Sequence, residues 1–481
     1  MPELSRRRRL LVLTVCCSSL FIVGLDATIV NIALPSIQRD LHASVSGLQW
    51  TVDAYTLVVA SFLILAGSTG DRVGRRRTFQ VGLATFTLGS LLCSLAPSLG
   101  WLVAFRGMQA IGGSMLNPVA LSIIANTFTD DRERARALGV WGAVFGLSMA
   151  MGPVVGGVLV ATVGWRGIFW VNIPVGIAAI VATALAVPES RAAHGRRVDP
   201  VGQVLIIVML ALLTYAIIEG PRHGWSSATI LGLFALSAAA ATALAIYEPR
   251  REEPLLDLRF FRSAPFTGAV VIAITAFSAL AGFLFLNTLY LQDARHLSAL
   301  HAGLYTLPMA AMTVLLAPLS GRITGQRGAR IPLLVAGVMT TAGALLMSGF
   351  TATTPVAWLM LAYLVLGIGN GMVNPPISNT AVSGMPRSQA GVAAAVASTS
   401  RQVGGSLGVA LTGSAVASSL HGSLRTGFVP ASHAGWLIVA GCGVLVLVAG
   451  LATSGRWARG TAERTAERLM SEEPRVPITT P

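Results

Sequence analysis

The chain has 481 residues, of which 54% are hydrophobic and 11% charged, and its mean hydropathy is +0.71. Soluble globular proteins carry about a quarter charged residues, so this composition predicts an all-α polytopic membrane protein. All 34 basic residues are arginine, and a chain without lysine lacks the phosphate loop of an ATP-driven pump. The formal charge of +14 comes from short arginine clusters between apolar spans, so nucleic acid is not an expected partner.

Cysteine and histidine give no sign of a metal or cofactor site. The four cysteines lie inside apolar segments, and none of the seven histidines has a second ligand at metal spacing. A nucleophile–base pair is not apparent either, and the charges form no rings of the kind that line a channel. The sequence therefore predicts no metal, no cofactor and no enzymatic activity.

Fourteen apolar spans follow one another along the chain, each about as long as the twenty residues with which a helix crosses a bilayer. The predicted spans are 10–34, 47–70, 78–96, 100–125, 137–162, 168–188, 200–219, 228–247, 265–290, 300–320, 331–350, 355–380, 390–417 and 433–455. The first span runs on through Asp26 without a cleavage site, so it is interpreted as a helix rather than as a signal peptide.

The arginines are distributed unevenly between the two sides of these spans. An even number of spans puts both termini on one side, and the segments on that side hold 27 of the 34 arginines. The loops on the opposite side hold five. Because positively charged loops are retained in the cytoplasm, we expect a multi-pass protein of the inner (plasma) membrane. Its cytoplasmic termini would be residues 1–9 and 456–481, the latter a short helix followed by disorder.

The chain also repeats itself at offsets of 252 to 257 residues. The matching segments are 67–76 and 321–330, 113–118 and 370–375, and 152–156 and 404–408. Repeats that run in the same direction predict two six-helix halves, 10–188 and 265–455, as in one class of secondary transporter. The linker, 189–264, holds the two spans without a counterpart, and these are interpreted as an inserted two-helix hairpin.

The most distinctive stretch joins the second and third spans. One acid and four arginines fall within seven residues, and glycines on both sides of the acid permit a tight reversal of the backbone. The stretch resembles the signature loop of the major facilitator superfamily of secondary transporters. The matching residues are Gly67, Asp71, Arg72, Gly74, Arg75 and Arg76. We expect this loop to act as a conformational latch at the cytoplasmic side.

Three charged residues lie within spans of the first half. A charge near the bilayer centre costs at least roughly 2.5–3.5 kcal/mol on insertion scales, so Asp26 is expected to face the interior and to serve a function. Arg106 lies at a similar depth from the same end, so the two residues can make contact. Asp53, near the start of the second span, could join them. We expect this trio to couple protons to transport, the alternative being that Arg106 merely neutralises Asp26.

Further motifs narrow the resemblance to the fourteen-helix drug:proton antiporters of that superfamily. The antiporter motif of the fifth helix matches at Gly152, Pro153, Gly156 and Gly157. The first span matches over 25–35 and the fourth over 106–112, where Ala110 replaces the usual glycine. The resemblance covers about residues 10–455 and implies a major facilitator fold. It also implies a protein, expected to be monomeric, that exports hydrophobic or cationic compounds in exchange for protons.

Polar residues inside the spans are candidates for lining a substrate cavity. These candidates are Asn31, Gln109, Asn117, Asn287 and Asn374. Arg401 is the one charged residue found within a span of the second half. Because no deep acid accompanies it, strongly dicationic substrates are expected to fit poorly.

Two other transport functions stay open. A dedicated exporter of one self-made antibiotic or metabolite fits the residues as well as a multidrug pump does. The arginine-only, alanine-rich composition favours it, since this composition is typical of GC-rich bacteria, among which antibiotic producers are common. A nutrient importer is less favoured, because the glycine–proline motif of the fifth helix belongs to exporters.

Overall fold

The computed structural model describes residues 5–191, 199–251, 254, 257–383, 385 and 390–472, and its regular secondary structure there is entirely helical. The first helices are α1 (Arg6–Leu41), α2 (Val45–Val73), α3 (Arg75–Ser94), α4 (Leu99–Thr127), α5 (Asp131–Val163), α6 (Gly167–Trp170) and α7 (Asn172–Ala186). The linker contains α8 (Pro200–His223), α9 (Ala228–Tyr247) and two 3₁₀ turns, Glu248–Arg250 and Leu258–Arg262. The remaining helices are α10 (Ala264–Leu289), α11 (Ala299–Tyr305), α12 (Leu307–Arg327), α13 (Arg330–Ser348), α14 (Val356–Val382), α15 (Ala390–Ser419), α16 (Leu424–Thr453) and α17 (Arg456–Glu472), with a π-helical turn at Tyr290–Ala294.

Each predicted span coincides with one helix or with two helices in line. By length and hydropathy, twelve helical segments of the described residues are able to cross a membrane. The long helices outside this set are α3 and α15. The first begins with three arginines, and the second is rich in glycine and serine and contains Arg401, which lowers the hydropathy of both. The fourteen-span count therefore stays a prediction, as does the disorder expected at 473–481, which lies outside the described residues.

The bundle has two ends, which we name by their charge. The arginine-rich end holds Arg6–Arg9 at the start of α1 and the α2–α3 turn at Gly74. The arginine-poor end holds the α1–α2 loop at His42, the α5–α6 loop at Gly164 and the α10–α11 loop at 295–298. Successive long helices run between these two ends in alternating directions.

Local signals determine where the helices meet these loops. The hydroxyl of Ser44 accepts a hydrogen bond from the backbone of Gly47 at 3.2 Å and so begins α2. Between α2 and α3, Gly74 has a φ of 128°, which disfavours any residue with a side chain. A methyl group there would also lie 2.7 Å from the Glu189 carboxylate, so glycine is required for two reasons.

The helices α1–α7 and α10–α16 form two halves with the same internal packing. α1 packs against α5 as α10 packs against α15, and α2 packs against α4 as α12 packs against α14. α3 contacts α4 and α7, and α13 contacts α14 and α16 in the same way. The two halves thus contain one helix arrangement twice.

Among the described residues, the hydrophobic cores of the two halves merge mainly towards the arginine-poor end. One cluster of buried side chains there contains Leu34 and Leu48 of the first half together with Leu289 of the second. Towards the arginine-rich end, the first half has its own cluster around Phe79, and the second half has another around Ile377. Burial of apolar surface therefore joins the halves at one end and leaves them separate at the other.

The helices α8 and α9 pack against each other, and α8 lies across both halves. Its Gln203 amide donates a hydrogen bond to the carbonyl oxygen of Ser61 in α2 at 2.5 Å. Near the arginine-poor end, the Trp50 indole donates to Glu219 at 3.1 Å. From α15, the hydroxyl of Ser414 donates to a backbone carbonyl of α8 at 2.6 Å. The helix α8 is thus fixed to α2 at two depths and to α15 at the arginine-poor end.

Candidate functional site

Asp26 and Arg106 form a buried ion pair at the centre of the first half. The Arg106 Nη1 donates to Asp26 Oδ2 at 2.5 Å, and the exposed fractions of the two residues are 1% and 0%. Arg106 also donates to the side-chain oxygen of Gln109 at 2.8 Å. The ring of Tyr55 lies 4.4 Å from the guanidinium carbon, which adds a cation–π contact.

Neutral side chains complete the coordination of the Asp26 carboxylate. Its Oδ1 accepts hydrogen bonds from Gln109 at 2.9 Å and from Asn172 at 3.1 Å. The same two amides reach the hydroxyl of Ser90, at 3.3 and 3.0 Å. Helices α1, α3, α4 and α7 therefore meet at this cluster. A carboxylate with a cation and two amide donors is well satisfied in its charged form.

Close helix packing brings these groups together. α3 and α4 approach through Gly89, where a methyl group would lie 2.6 Å from Gln109 Cα. Any larger residue at this position would push apart the helices that hold Ser90 and Gln109. Small residues thus set the depth and separation of the donors around Asp26.

Asp53 lies apart from this pair, on the face of α2 that meets α15. Its side chain is fully buried, and its one hydrogen-bond donor within ordinary geometry is Thr56, at 3.3 Å. Its Oδ2 has no partner among the described residues, and the hydroxyl of Ser406 in α15 faces it without a well-formed hydrogen bond. The expectation that Asp53 joins Asp26 and Arg106 is not met, because α2 turns this residue towards the other half.

Polar contacts join the halves close to Asp53. The Gln49 amide of α2 donates to the carbonyl oxygen of Ala410 in α15 at 2.8 Å. A second polar contact between the halves involves α1: the Gln292 amide of the π-helical turn donates to the carbonyl oxygen of Ile32 at 2.8 Å. We call the α2–α15 contact, from Gln49 to Asp53 and from Ser406 to Gly413, the polar seam.

The loop predicted to be a latch is held by its own half. Arg75 donates twice to Asp71 Oδ1, at 3.0 and 2.8 Å. The backbone N–H groups of Arg76 and Arg77 donate to the carboxylate of Glu189 at 3.1 and 3.3 Å. Thus Asp71 has its nearest cation four residues along the chain, and Gly74 allows the approach of Glu189. The role of this loop as a latch stays a prediction.

The glycine–proline motif of α5 lies between two other helices. Gly152 and Gly156 face α1, where a methyl group on Gly156 would lie 3.1 Å from the carbonyl oxygen of Ile29. Gly157 faces α11 of the second half, and a methyl group there would lie 2.6 Å from the carbonyl oxygen of Ala299. The carbonyl group of Pro153 contacts Gly303 of α11. The motif thus allows close packing within the first half and between the halves.

The candidate cavity residues fall into different environments. Gln109 belongs to the Asp26 cluster, and Asn287 is 2% exposed. Asn31 is buried, whereas Asn117 and Asn374 are half-buried. The side-chain oxygens of Asn31 and Asn117 have no hydrogen-bond partner within the described residues. These two, together with Asn374, remain candidates for contact with a substrate.

The second half replaces the ion pair with a neutral hydrogen bond. Tyr363 follows Arg106 by 257 residues, the offset that also relates Asn117 to Asn374. The Tyr363 hydroxyl donates to the side-chain oxygen of Asn287 at 2.6 Å, within the core of the second half. The two halves are alike in packing and different in charge.

Sequence reasoning missed Ser90, Asn172, Tyr363 and Gln292. Single polar residues in apolar spans are common, and nothing in their spacing pairs them with a distant helix. None of the motifs described in the sequence analysis contains any of these four residues.

The chain is similar to known transport proteins over most of its length. The family model described as Major Facilitator Superfamily matches residues 16–409. A multidrug resistance protein, Stp, of Mycobacterium tuberculosis is 38% identical over 421 residues, which cover 87% of this chain and 78% of Stp. The tetracenomycin C resistance and export protein of Streptomyces glaucescens is 38% identical over 398 residues, 82% of this chain and 74% of that protein. A methylenomycin A resistance protein of Streptomyces coelicolor is 35% identical over 407 residues, 83% and 84% of the respective chains.

Solved structures of low identity share the fold. An inward-facing bacterial homologue of the human lysosomal transporter Spinster has a TM-score of 0.64 at 17% identity and covers 97% of this chain and 99% of its own. A D-xylose–proton symporter has a TM-score of 0.65 at 15% identity, with 92% and 96% covered. With its apolar helices, its repeated halves and its match to the family model, this integral membrane protein belongs to the Major Facilitator Superfamily.

Proposed function

We propose that this protein exports hydrophobic compounds, cationic ones among them, in exchange for protons by alternating access. The relatives named above are multidrug or antibiotic resistance proteins, and one is named as an export protein. The proposed architecture has fourteen membrane-crossing helices, with α8 and α9 inserted as a hairpin between two six-helix halves. The transport path lies between the halves of one chain, so the proposed unit is a monomer.

The direction of opening follows from charge and packing. The arginine-rich end carries most of the basic loops, so we place it in the cytoplasm together with both termini. The merged hydrophobic core and the polar seam close the opposite end. We infer that this arrangement represents the state closed to the exterior, in which an exporter would load its substrate from the cytoplasm.

Asp53 is the residue that we assign to carry the proton. Asp26 accepts bonds from a cation and two amides, and protonating it would leave Arg106 buried without its partner. Within the described part of the chain, Asp53 has no ion pair and one unpartnered oxygen, so its neutral form is compatible with the closed seam. In its charged form it would require water or a cation, which opening of the seam would supply. This isolated buried carboxyl at the contact of the halves is the observation that carries the proposal.

The energy available from one proton is adequate for this task. Each charge that crosses a potential of 100 mV releases about 2.3 kcal/mol. This amount supports a substrate gradient of roughly tenfold to hundredfold, since about 1.4 kcal/mol corresponds to a factor of ten.

The test uses inside-out vesicles with an acidified lumen and a dye that reports the pH gradient. Addition of a substrate to wild-type vesicles should release protons, and Asp53→Asn should abolish this release while equilibrium binding of the substrate persists. Asp26→Asn serves as the comparison, because it removes the other buried acid. Proton release that survives in Asp53→Asn and fails in Asp26→Asn would transfer the role to Asp26. Absence of release with every compound tested would contradict proton-coupled export.

A dedicated exporter of one self-made compound is the second candidate function. Two of the relatives named above are each named for resistance to a single antibiotic. A vesicle assay across a panel of unrelated compounds separates the two: a response to a single chemical scaffold favours the dedicated exporter, and responses to several favour the multidrug pump.

A further inference from the structure

Arg401 of α15 is a cation whose contacts among the described residues are with neutral groups. Its Nη2 donates to the hydroxyl of Ser378 in α14 at 2.5 Å, and its Nη1 donates to Ser398 at 3.3 Å. Its Nε is buried and has no partner within the described residues. The ring centroid of Phe277 in α10 lies 5.9 Å from the guanidinium carbon. Arg401 therefore lies where three helices of the second half meet, without a counter-charge.

The second half contains no acid that could neutralise this cation. Between residues 258 and 462 the sequence has a single acidic residue, Asp293, which lies in the π-helical turn at the arginine-poor end. In the first half, by contrast, Arg106 has Asp26 at 2.5 Å. Arg106 is fully buried whereas Arg401 is half-buried, so the two arginines differ both in their counter-charge and in their exposure.

The pairing of α2 with α15 gives the depth of Arg401. Gln49 lies opposite Ala410, and further along, Ala60 lies in the same apolar cluster as Val403. Arg401 is therefore level with the middle of α2 (Val45–Val73). An uncompensated arginine at such a depth is rare and normally faces water or a ligand pathway.

The guanidinium is also close to open space. Ser378, its partner on α14, is exposed, and the neighbouring Asn379 is exposed as well. Contacts of α15 with α2 include those of Ser414 with Gln49 and of Gly405 with Thr56, and Val403 packs against the apolar cluster that contains Ala60. Arg401 follows the polar seam on the side of the arginine-rich end, where the halves have separate hydrophobic cores.

From these observations we propose that Arg401 is an anion-binding subsite, which takes the acidic group of an exported compound. The inference rests on the proposed export function and specifies its substrate class as amphiphiles with one carboxylate or acidic hydroxyl group. A guanidinium presents parallel N–H donors that match a carboxylate, and the buried Nε is the donor still free for it. Ser378 and Ser398 are further hydroxyl groups at the same place, and Phe277 offers an aromatic face to the body of the ligand.

The proposal changes the substrate charge that we expect the space between the halves to favour. The Asp26–Arg106 pair is neutral as a unit, and Asp53 in its protonated form adds no charge. Arg401 then leaves the path between the halves with one positive charge, which favours a monoanion over a monocation of the same shape.

The test compares two dyes that share the xanthene scaffold and differ in charge. The purified protein in phosphatidylcholine nanodiscs is titrated with fluorescein, an anion, and with rhodamine 123, a cation, and binding is followed by fluorescence anisotropy. Wild type should bind fluorescein, and Arg401→Gln should weaken this binding by about ten- to hundredfold, since a charged hydrogen bond is lost. Arg401→Lys, which keeps the charge and loses the planar fork, should give an intermediate loss. The matched control is Arg327→Gln, an equal change of charge at an exposed position of α12.

Several outcomes would overturn the assignment. Failure of wild type to bind fluorescein is one of them, and equal weakening of the binding of both dyes by Arg401→Gln, in a protein with the elution profile of wild type, is another. The same titrations are repeated in phosphatidylglycerol nanodiscs. If the change from phosphatidylcholine to phosphatidylglycerol weakens fluorescein binding more in wild type than in Arg401→Gln, Arg401 is assigned to a lipid phosphate instead. Equal losses in the two proteins reflect the surface charge of the disc and support a substrate acid. Because binding requires no proton gradient, fluorescein binding without proton release in vesicles would contradict export and leave the anion subsite standing.

Discussion

At the scale of single residues, the buried charges of this protein differ in how completely they are satisfied. The Asp26 carboxylate has a cation and two amide donors within 3.1 Å. Asp53 and Arg401 each retain a buried atom without a hydrogen-bond partner within the described residues. Since an unsatisfied buried group is unfavourable, we assign the changing interactions of the transport cycle to these two residues and a constant structure to the ion pair.

The ion pair leads to a prediction about stability. Arg106→Gln removes the cation and leaves Asp26 as a buried unpaired charge, so it should destabilise the protein by about 3–5 kcal/mol. The double variant Asp26→Asn with Arg106→Gln should lose less, because neither half of the pair then remains charged. Thermal unfolding in detergent, followed by tryptophan fluorescence, measures both. A double variant less stable than Arg106→Gln alone would contradict this account of the pair.

Residue contacts were predictable from sequence only in part. The depths of Asp26 and Arg106 along their helices agree, and this agreement was enough to predict their contact. The same arithmetic failed for Asp53, because depth says nothing about which face of α2 a residue occupies. That face is decided by packing against α15, a helix more than 330 residues further along the chain. Ser90 and Asn172 depend on similar long-range packing.

At the scale of elements, α5 shows how one helix serves two contacts. Its residues Gly152 and Gly156 face α1 within the first half, and Gly157 faces α11 of the second. The sequence motif contains all three glycines, but it does not indicate which helix each of them contacts. The predicted spans located the helices well but not the interruptions at Val171 and Thr306, although Pro174 and Pro308 follow them within three residues.

The two faces of α5 lead to a prediction about conformation. Gly157→Ala places a methyl group 2.6 Å from the carbonyl oxygen of Ala299, so the contact between α5 and α11 must loosen. Spin labels at Gly100, in the first turn of α4, and at Thr353, in the α13–α14 loop, lie in opposite halves at the arginine-poor end and should then show a longer distance by electron–electron double resonance. The control is Gly146→Ala on the same helix, where a methyl group meets open space. Equal distances in the two variants would argue against α5–α11 as a contact that holds the halves.

At the scale of the whole molecule, the fold places all strong contacts between the halves at one end. Apolar side chains merge there, and Gln49 and Gln292 add hydrogen bonds from one half to the other. The sequence repeat predicted two halves but not where they touch, because contacts between halves depend on the conformational state.

This arrangement leads to a prediction about transport. Cysteines at Gln49 and Gly413, introduced after replacement of the four native cysteines and joined by a short bismaleimide, would fix α2 to α15. Transport should stop, while binding of a substrate from the arginine-rich side should persist, because the two halves have separate hydrophobic cores at that end. Each single-cysteine variant treated with the same reagent serves as the control. Transport that continues in the cross-linked protein would show that the polar seam need not open.

The position of α8 has a consequence for how molecules dissolved in lipid reach the space between the halves. Because α8 lies over both α2 and α15, it closes that flank of the bundle to the surrounding acyl chains. On the opposite flank, α5 of the first half contacts α11 and α12 of the second half directly. One flank is therefore covered by an additional helix, whereas the other is formed by helices of the two halves. A compound dissolved in the lipid thus meets a different helical surface on each flank.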